Sequence, residues 1–190
     1  RLGVSRNVLR EAIKAMELMG MVQACSGKGT MVRPFNLDFV FHNVLFFTVG
    51  DGDRAAEEMF GVRRMLELAY MRPAFQAMGE EDVKRIRELA DAISQRWSEG
   101  EIFAAEDREF HLTLFKALDN SVLNSMLEAI WAVDTGFGLE ERMSHMAQSV
   151  ENHQEIARAL EDYNYRAFAK AMEAHFSTGK YLNAGETSPV

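Results

Sequence analysis

Apolar residues recur at helical spacing along most of this chain, and one short segment near its start breaks the pattern. Val8, Leu9, Ala12, Ile13 and Met16 follow Ser5, a residue type that caps helix N-termini, and they predict a helix that ends at Gly20. Met21, Val22 and Gln23 then read as a strand and Thr30-Met31-Val32 as its return. Between them Ser26-Gly27-Lys28-Gly29 supplies a tight turn, since glycine takes positive φ without steric penalty. Pro34 closes the unit. From Leu37 onward the helical period predicts helices at about 37–48, 53–78, 80–98, 101–118, 121–135, 147–162 and 164–182. Gly50-Asp51-Gly52, Gly79, Gly100, Asp119-Asn120 and the Gly136–Gly138 stretch provide the breaks. Pro73 falls inside the second of these helices and predicts a kink. Ala184–Val190 reads as a frayed end. The expected fold class is all-α, an antiparallel bundle of about seven helices over residues 35–190, preceded over residues 1–34 by a helix and a two-stranded hairpin.

Composition adds limits rather than detail. With 190 residues, 47% hydrophobic and 26% charged, the chain falls in the globular range. It holds no run of 18 apolar residues, which argues against a membrane-spanning helix, and no secretory pattern at its start. A single cysteine, Cys25, rules out an internal disulfide framework and suits a reducing cytoplasm, the expected location. The first residue is Arg1, in the middle of a motif, so further residues are expected before it. The net charge of −8 is unevenly spread. Residues 1–34 hold six basic side chains against Glu11 and Glu17, a net of +4, and the rest holds 15 basic and 27 acidic, a net of −12. A basic head on an acidic body fits a nucleic-acid contact confined to one end.

That head has the parts such a contact needs. Arg6 and Arg10 lie four residues apart and share one helix face, while the apolar residues lie behind them. Ser5 and the free backbone N–H groups at the helix start can receive a phosphate. The slim hairpin tip Gly27-Lys28-Gly29 carries a cation. Each piece alone is also what an ordinary solvated helix or hairpin shows. Together, Gly3-Val4-Ser5-Arg6, Leu9-Arg10-Glu11-Ala12, Gly20-Met21-Val22 and Gly27-Lys28-Gly29-Thr30 resemble the end of the winged helix-turn-helix of GntR-family regulators: its recognition helix and two-stranded wing. The resemblance implies that Ser5, Arg6, Arg10, Lys28 and Gly29 contact double-stranded operator DNA. It also implies that the family's first helix and most of its second are absent from this chain.

The helical body carries a second constellation. Asp107 and His111 are spaced i, i+4 and share one face of a helix. His153 and His175 are symmetric about residue 164, in the Asp162-Tyr163-Asn164 turn, each about 16 Å along its helix from that turn. In an antiparallel hairpin they face each other. A third helix bringing Asp107 and His111 completes a four-ligand metal site of the kind helical bundles build. The alternative is four unrelated polar residues on amphipathic faces. Three imidazoles and a carboxylate suit zinc, nickel, iron or manganese, either closed and tetrahedral or octahedral with open positions.

Residues 37–190 resemble the FadR-type C-terminal ligand-binding (FCD) domain of the same regulators. The residues that carry this are Arg63…Glu67, Asp107…His111, Asn120, His153-Gln154-Glu155-Ile156-Ala157 and His175. The resemblance implies a divalent metal on Asp107, His111, His153 and His175, with a small organic-acid effector beside it that Arg63 and Asn120 help to bind. For Arg63 a bidentate grip on a carboxylate and an intrahelical ion pair with Glu67 both fit. Pro73 departs from the alanines usual there, and His42 and His145 match no position of the pattern. The expected protein is a homodimeric repressor whose operator affinity follows the effector, and it is not an enzyme. The rival is a metal-dependent hydrolase or isomerase acting on a small organic acid, but no further side chain stands out as a general base. A di-iron bundle needs Glu three residues before its histidines, where this chain has Arg108, Val150 and Met172.

Overall fold

The computed structural model describes residues 3–33, 53–134 and 146–177, with the backbone alone for 53–57, 132–134 and 146. The described residues form two compact units, residues 3–33 in one and the remainder in the other. The expected boundary at residues 34/35, the expected helix at 37–48, His42, His145 and everything beyond Ser177 lie outside the described residues.

The first unit is a helix followed by a hairpin. Helix α1 spans Arg6–Leu18, and the Ser5 hydroxyl accepts from the Val8 N–H at 3.3 Å, the cap expected of it. Gly20, at φ 70°, ends the helix in a double closure: its own N–H bonds to Glu17 and that of Met21 to Met16. Strands β1 (Val22–Cys25) and β2 (Gly29–Val32) pair antiparallel with Val22 opposite Val32. Gly27 and Gly29 both take positive φ, which lets the chain reverse around Lys28.

The second unit contains six described helices: α2 (Asp53–Ala77), α3 (Glu80–Ser98), α4 (Ala104–Lys116), α5 (Ser121–Asp134), α6 (Met146–Glu161) and α7 (Tyr165–Ser177). Helix α3 packs on α4 and α6, α6 on α7, and α2 on α4, α5 and α7. Ile86 and Ile93 of α3, Phe110 and Leu114 of α4, Ile156 of α6 and Phe168 and Met172 of α7 are fully buried where these helices meet. Helix α2 continues through Pro73 to Ala77. The ring lies on the exposed side, as does Ala69, whose carbonyl loses its i+4 donor there but can turn to water.

Turn chemistry explains where the helices stop. Glu101 lies outside α4, contrary to the expected start, because its N–H closes the end of α3 onto the Arg96 carbonyl across Gly100. The α6–α7 link is tighter still. Tyr163 (φ 48°) bonds back to Leu160, and Asn164 bonds back to Ala159. The Asn164 side chain then accepts from the Ala167 N–H at 3.1 Å, so one residue closes α6 and caps α7. Asn164→Ala is expected to destabilise the unit by about 1 kcal/mol. In thermal unfolding this lowers Tm by roughly 2–4 °C; an unchanged Tm would show that the cap contributes nothing.

Candidate metal centre

Three helices deliver four donors to one point. Helix α4 contributes Asp107 and His111 from successive turns, α6 contributes His153 and α7 contributes His175. One ligand atom from each lies within 4.8 Å of all the others. His111 and His153 are fully buried and the Asp107 side chain is about four-fifths buried. The closest approaches are His153 Nε2 to Asp107 Oδ1 at 2.9 Å, His111 Nε2 to His175 Nε2 at 3.0 Å, and His111 Nε2 to Asp107 Oδ1 at 3.5 Å.

The far sides of two rings decide what the near sides offer. His153 Nδ1 lies 2.7 Å from the Ser149 carbonyl oxygen, which can only accept, so this nitrogen carries the proton. His111 Nδ1 lies 2.6 Å from Glu67 Oε2, and it likewise donates to that carboxylate. In the neutral ring each Nε2 is then a lone pair, and these two nitrogens face a carboxylate oxygen and a third imidazole. Lone pairs crowded in this way repel unless a cation or protons lie between them. Two donors at right angles on an ion about 2.1 Å from each would be about 3.0 Å apart, which matches the two shortest edges. The residues present therefore fit a divalent metal.

Without metal, a proton between His153 Nε2 and Asp107 fills that gap. Burial would raise the Asp107 carboxyl, but this hydrogen bond and the charges of His153, His111 and Arg63 together outweigh it and hold the group well below the usual carboxylate range. Burial pushes His175 well below the ordinary histidine value of 6.5, reinforced by His153 and His111, opposed by Asp107 and reinforced again by Arg63. His175 is thus held neutral, as a ligand must be. In metal-free protein the unfolded chain takes up a proton at His175 near pH 6.5 that the folded chain refuses, so stability is complete above that pH and declines below it. Chelator-treated protein should show a falling Tm between about pH 7.5 and about pH 5.5. A flat Tm across that window would contradict a neutral buried His175.

Helix α2 closes one side of the cluster. Arg63 and Glu67 are buried, with Nε and Oε1 3.2 Å apart, so the intrahelical ion pair forms. The Arg63 guanidinium also stacks on the Trp131 ring at 4.0 Å from its centroid, and Trp131 lies 5.4 Å from the His111 ring. Glu67 is thus both the partner of Arg63 and the group that orients His111. Local spacing in the sequence points only to the first role, the i, i+4 pair. The available signal was the placement of Arg63 and Glu67 on the same stripe as Ala74, at core-facing spacing. Glu67→Gln is expected to weaken metal binding about 10–100-fold, since it removes the charge that makes His111 a stronger ligand. Titration with zinc checks this, and unchanged affinity would deny the orienting role.

Asn120 is placed at the start of α5, where its Oδ1 accepts from the Leu123 N–H at 3.1 Å. In the first unit Ser5, Arg6, Arg10, Lys28 and Gly29 are all exposed, with the two arginines one turn apart on α1. No helix among the described residues is long and apolar enough to cross a membrane.

Comparison with known proteins places this geometry. Residues 58–178 match the FCD domain. The chain is 25% identical over 189 residues to the HTH-type transcriptional regulator LutR of Bacillus subtilis, covering 96% of this chain and 86% of LutR. It is 24% identical to the Uxu operon regulator of Haemophilus influenzae, covering 95% and 68%, and 26% identical to the Exu regulon transcriptional regulator of Escherichia coli, covering 97% and 72%. Among solved structures, Streptococcus agalactiae GntR superposes with a TM-score of 0.67 at 23% identity, covering 93% of this chain and 82% of that one.

Proposed function

Because the chain belongs to the FCD domain family and is a transcriptional regulator of the GntR type, we propose that its helical unit is a metal-anchored sensor of a small organic acid. Asp107, His111, His153 and His175 would hold a divalent zinc, nickel, iron or manganese ion. The observation that carries this reading is the convergence of four donors, with two imidazoles turned inward by Glu67 and the Ser149 carbonyl. When bound, the metal supplies a Lewis-acidic anchor for a carboxylate. Arg63 adds a buried guanidinium beside it, held back by Glu67 until a second anion shares it. Asn120 enters this reading through its amide nitrogen, since its oxygen caps α5.

The exposed Ser5, Arg6, Arg10, Lys28 and Gly29 are the DNA-contacting set, with the helix reading base edges and the hairpin tip reaching the backbone. A two-fold operator requires two such heads, so the acting species is a cytoplasmic homodimer. The effector would act by binding one arrangement of those heads more tightly than another, and repression relieved by the acid is the expected direction. The names of the relatives, all regulators, argue against the hydrolase or isomerase alternative.

The test is fluorescence anisotropy of the full-length regulator on its operator, metal-loaded and metal-stripped, against a panel of mono-, hydroxy- and dicarboxylic acids. An affinity that shifts with one class of acid only when metal is present supports the sensor. Metal that stabilises the fold while no acid changes operator binding would reduce the centre to a structural one and overturn the proposal.

A further inference from the structure

We infer that Trp131 is an effector-binding residue, its indole N–H donating to an oxygen of the acid held at the centre; this rests on the sensor reading above. Trp131 is 2% exposed, and its Nε1 has no hydrogen-bond partner among the described residues. An indole nitrogen is a donor only, so nothing but an acceptor can satisfy it. Buried donors without acceptors are exceptions in folded proteins and call for a specific cause. The surroundings supply one. The same ring lies under the Arg63 guanidinium, 4.0 Å from centroid to Cζ, and 5.4 Å from the ring of His111. A cation and an N–H donor are therefore neighbours beside a histidine of the four-donor cluster. Both ask for electron-rich oxygen, and a carboxylate with an adjacent hydroxyl offers several such atoms in one small molecule. The stack also fixes the plane of the indole, so the direction of its N–H is set before the acid arrives.

Trp131→Phe removes the donor while keeping a ring under Arg63. Zinc-loaded wild type and variant are titrated with acetate and with glycolate by calorimetry, and each is titrated with zinc alone. The expected result is an acid Kd about tenfold weaker in the variant, the share of one hydrogen bond, with zinc affinity unchanged. A second measurement keeps Trp131 in place and does not depend on Trp131→Phe folding. In Trp97→Phe protein, Trp131 gives the single indole N–H resonance, which should move downfield when acid is added to the zinc-loaded form. Wild type that binds acid with the variant binding it equally well, or an indole resonance that does not move, would overturn the role of Trp131 and leave the sensor reading standing. Binding of neither acid by wild type would overturn both.

Discussion

Arg63→Ala should destabilise the helical unit by about 3–5 kcal/mol, the range for removing one partner of a buried ion pair. The Arg63 side chain is 4% exposed and that of Glu67 fully buried, so water cannot solvate the carboxylate left behind. His111 would still donate to Glu67, but one neutral hydrogen bond does not replace a guanidinium. The stack on Trp131 is lost as well. For a chain of this size the change corresponds to a fall in Tm of roughly 6–20 °C. Urea unfolding of the metal-free protein measures it. A double replacement, Arg63→Met with Glu67→Leu, should be less damaging than Arg63→Ala alone, because it removes both charges and leaves none stranded. A single variant that loses less than about 1 kcal/mol would mean the pair is screened by solvent.

His153→Ala carries the largest expected effect on ligand binding. It deletes a donor from the cluster itself, so zinc affinity should fall by more than the roughly 10–100-fold typical of losing an outer partner. The readout is thermal. Zinc at a hundredfold excess over its Kd should stabilise wild type by about 2.7 kcal/mol, whereas the variant at the same concentration should gain almost nothing. The variant also deprives Asp107 of the His153 hydrogen bond and charge that help to offset its burial, so the metal-free form should be less stable than wild type. Equal zinc-induced shifts in both proteins would exclude His153 as a ligand and reopen the reading of the four residues as unrelated.

The convergence of Asp107, His111, His153 and His175 was legible in sequence because each pair rests on a rigid periodicity. An i, i+4 pair must share a face, and two residues equidistant from a short turn must meet across a hairpin; the structure brings both pairs together. Gly20 and Ser5 were legible as helix ends for a similar reason, since their chemistry is local. The second link of Glu67 was not. Its partner His111 is 44 positions away, on a helix whose packing against α2 no local rule fixes. Trp131 escaped for the same reason: an aromatic on an apolar face looks like any core residue until its nitrogen is seen without an acceptor. The start of α4 was misplaced because Glu101 looks helical by composition, while its N–H is claimed by the helix before it.

The three residues between α6 and α7 act as a ruler with a further consequence. His153 and His175 meet only because Asp162, Tyr163 and Asn164 hold a fixed count and a fixed geometry. Inserting or deleting one residue there would turn α7 by about 100° and carry His175 away from the centre, although every ligand would still be present in the sequence. Drift in length is therefore barred at this point even where drift in side-chain identity is tolerated. Among descendants of a common ancestor, a changed count in this turn should coincide with loss of the histidines, since a site that can no longer close places no demand on them.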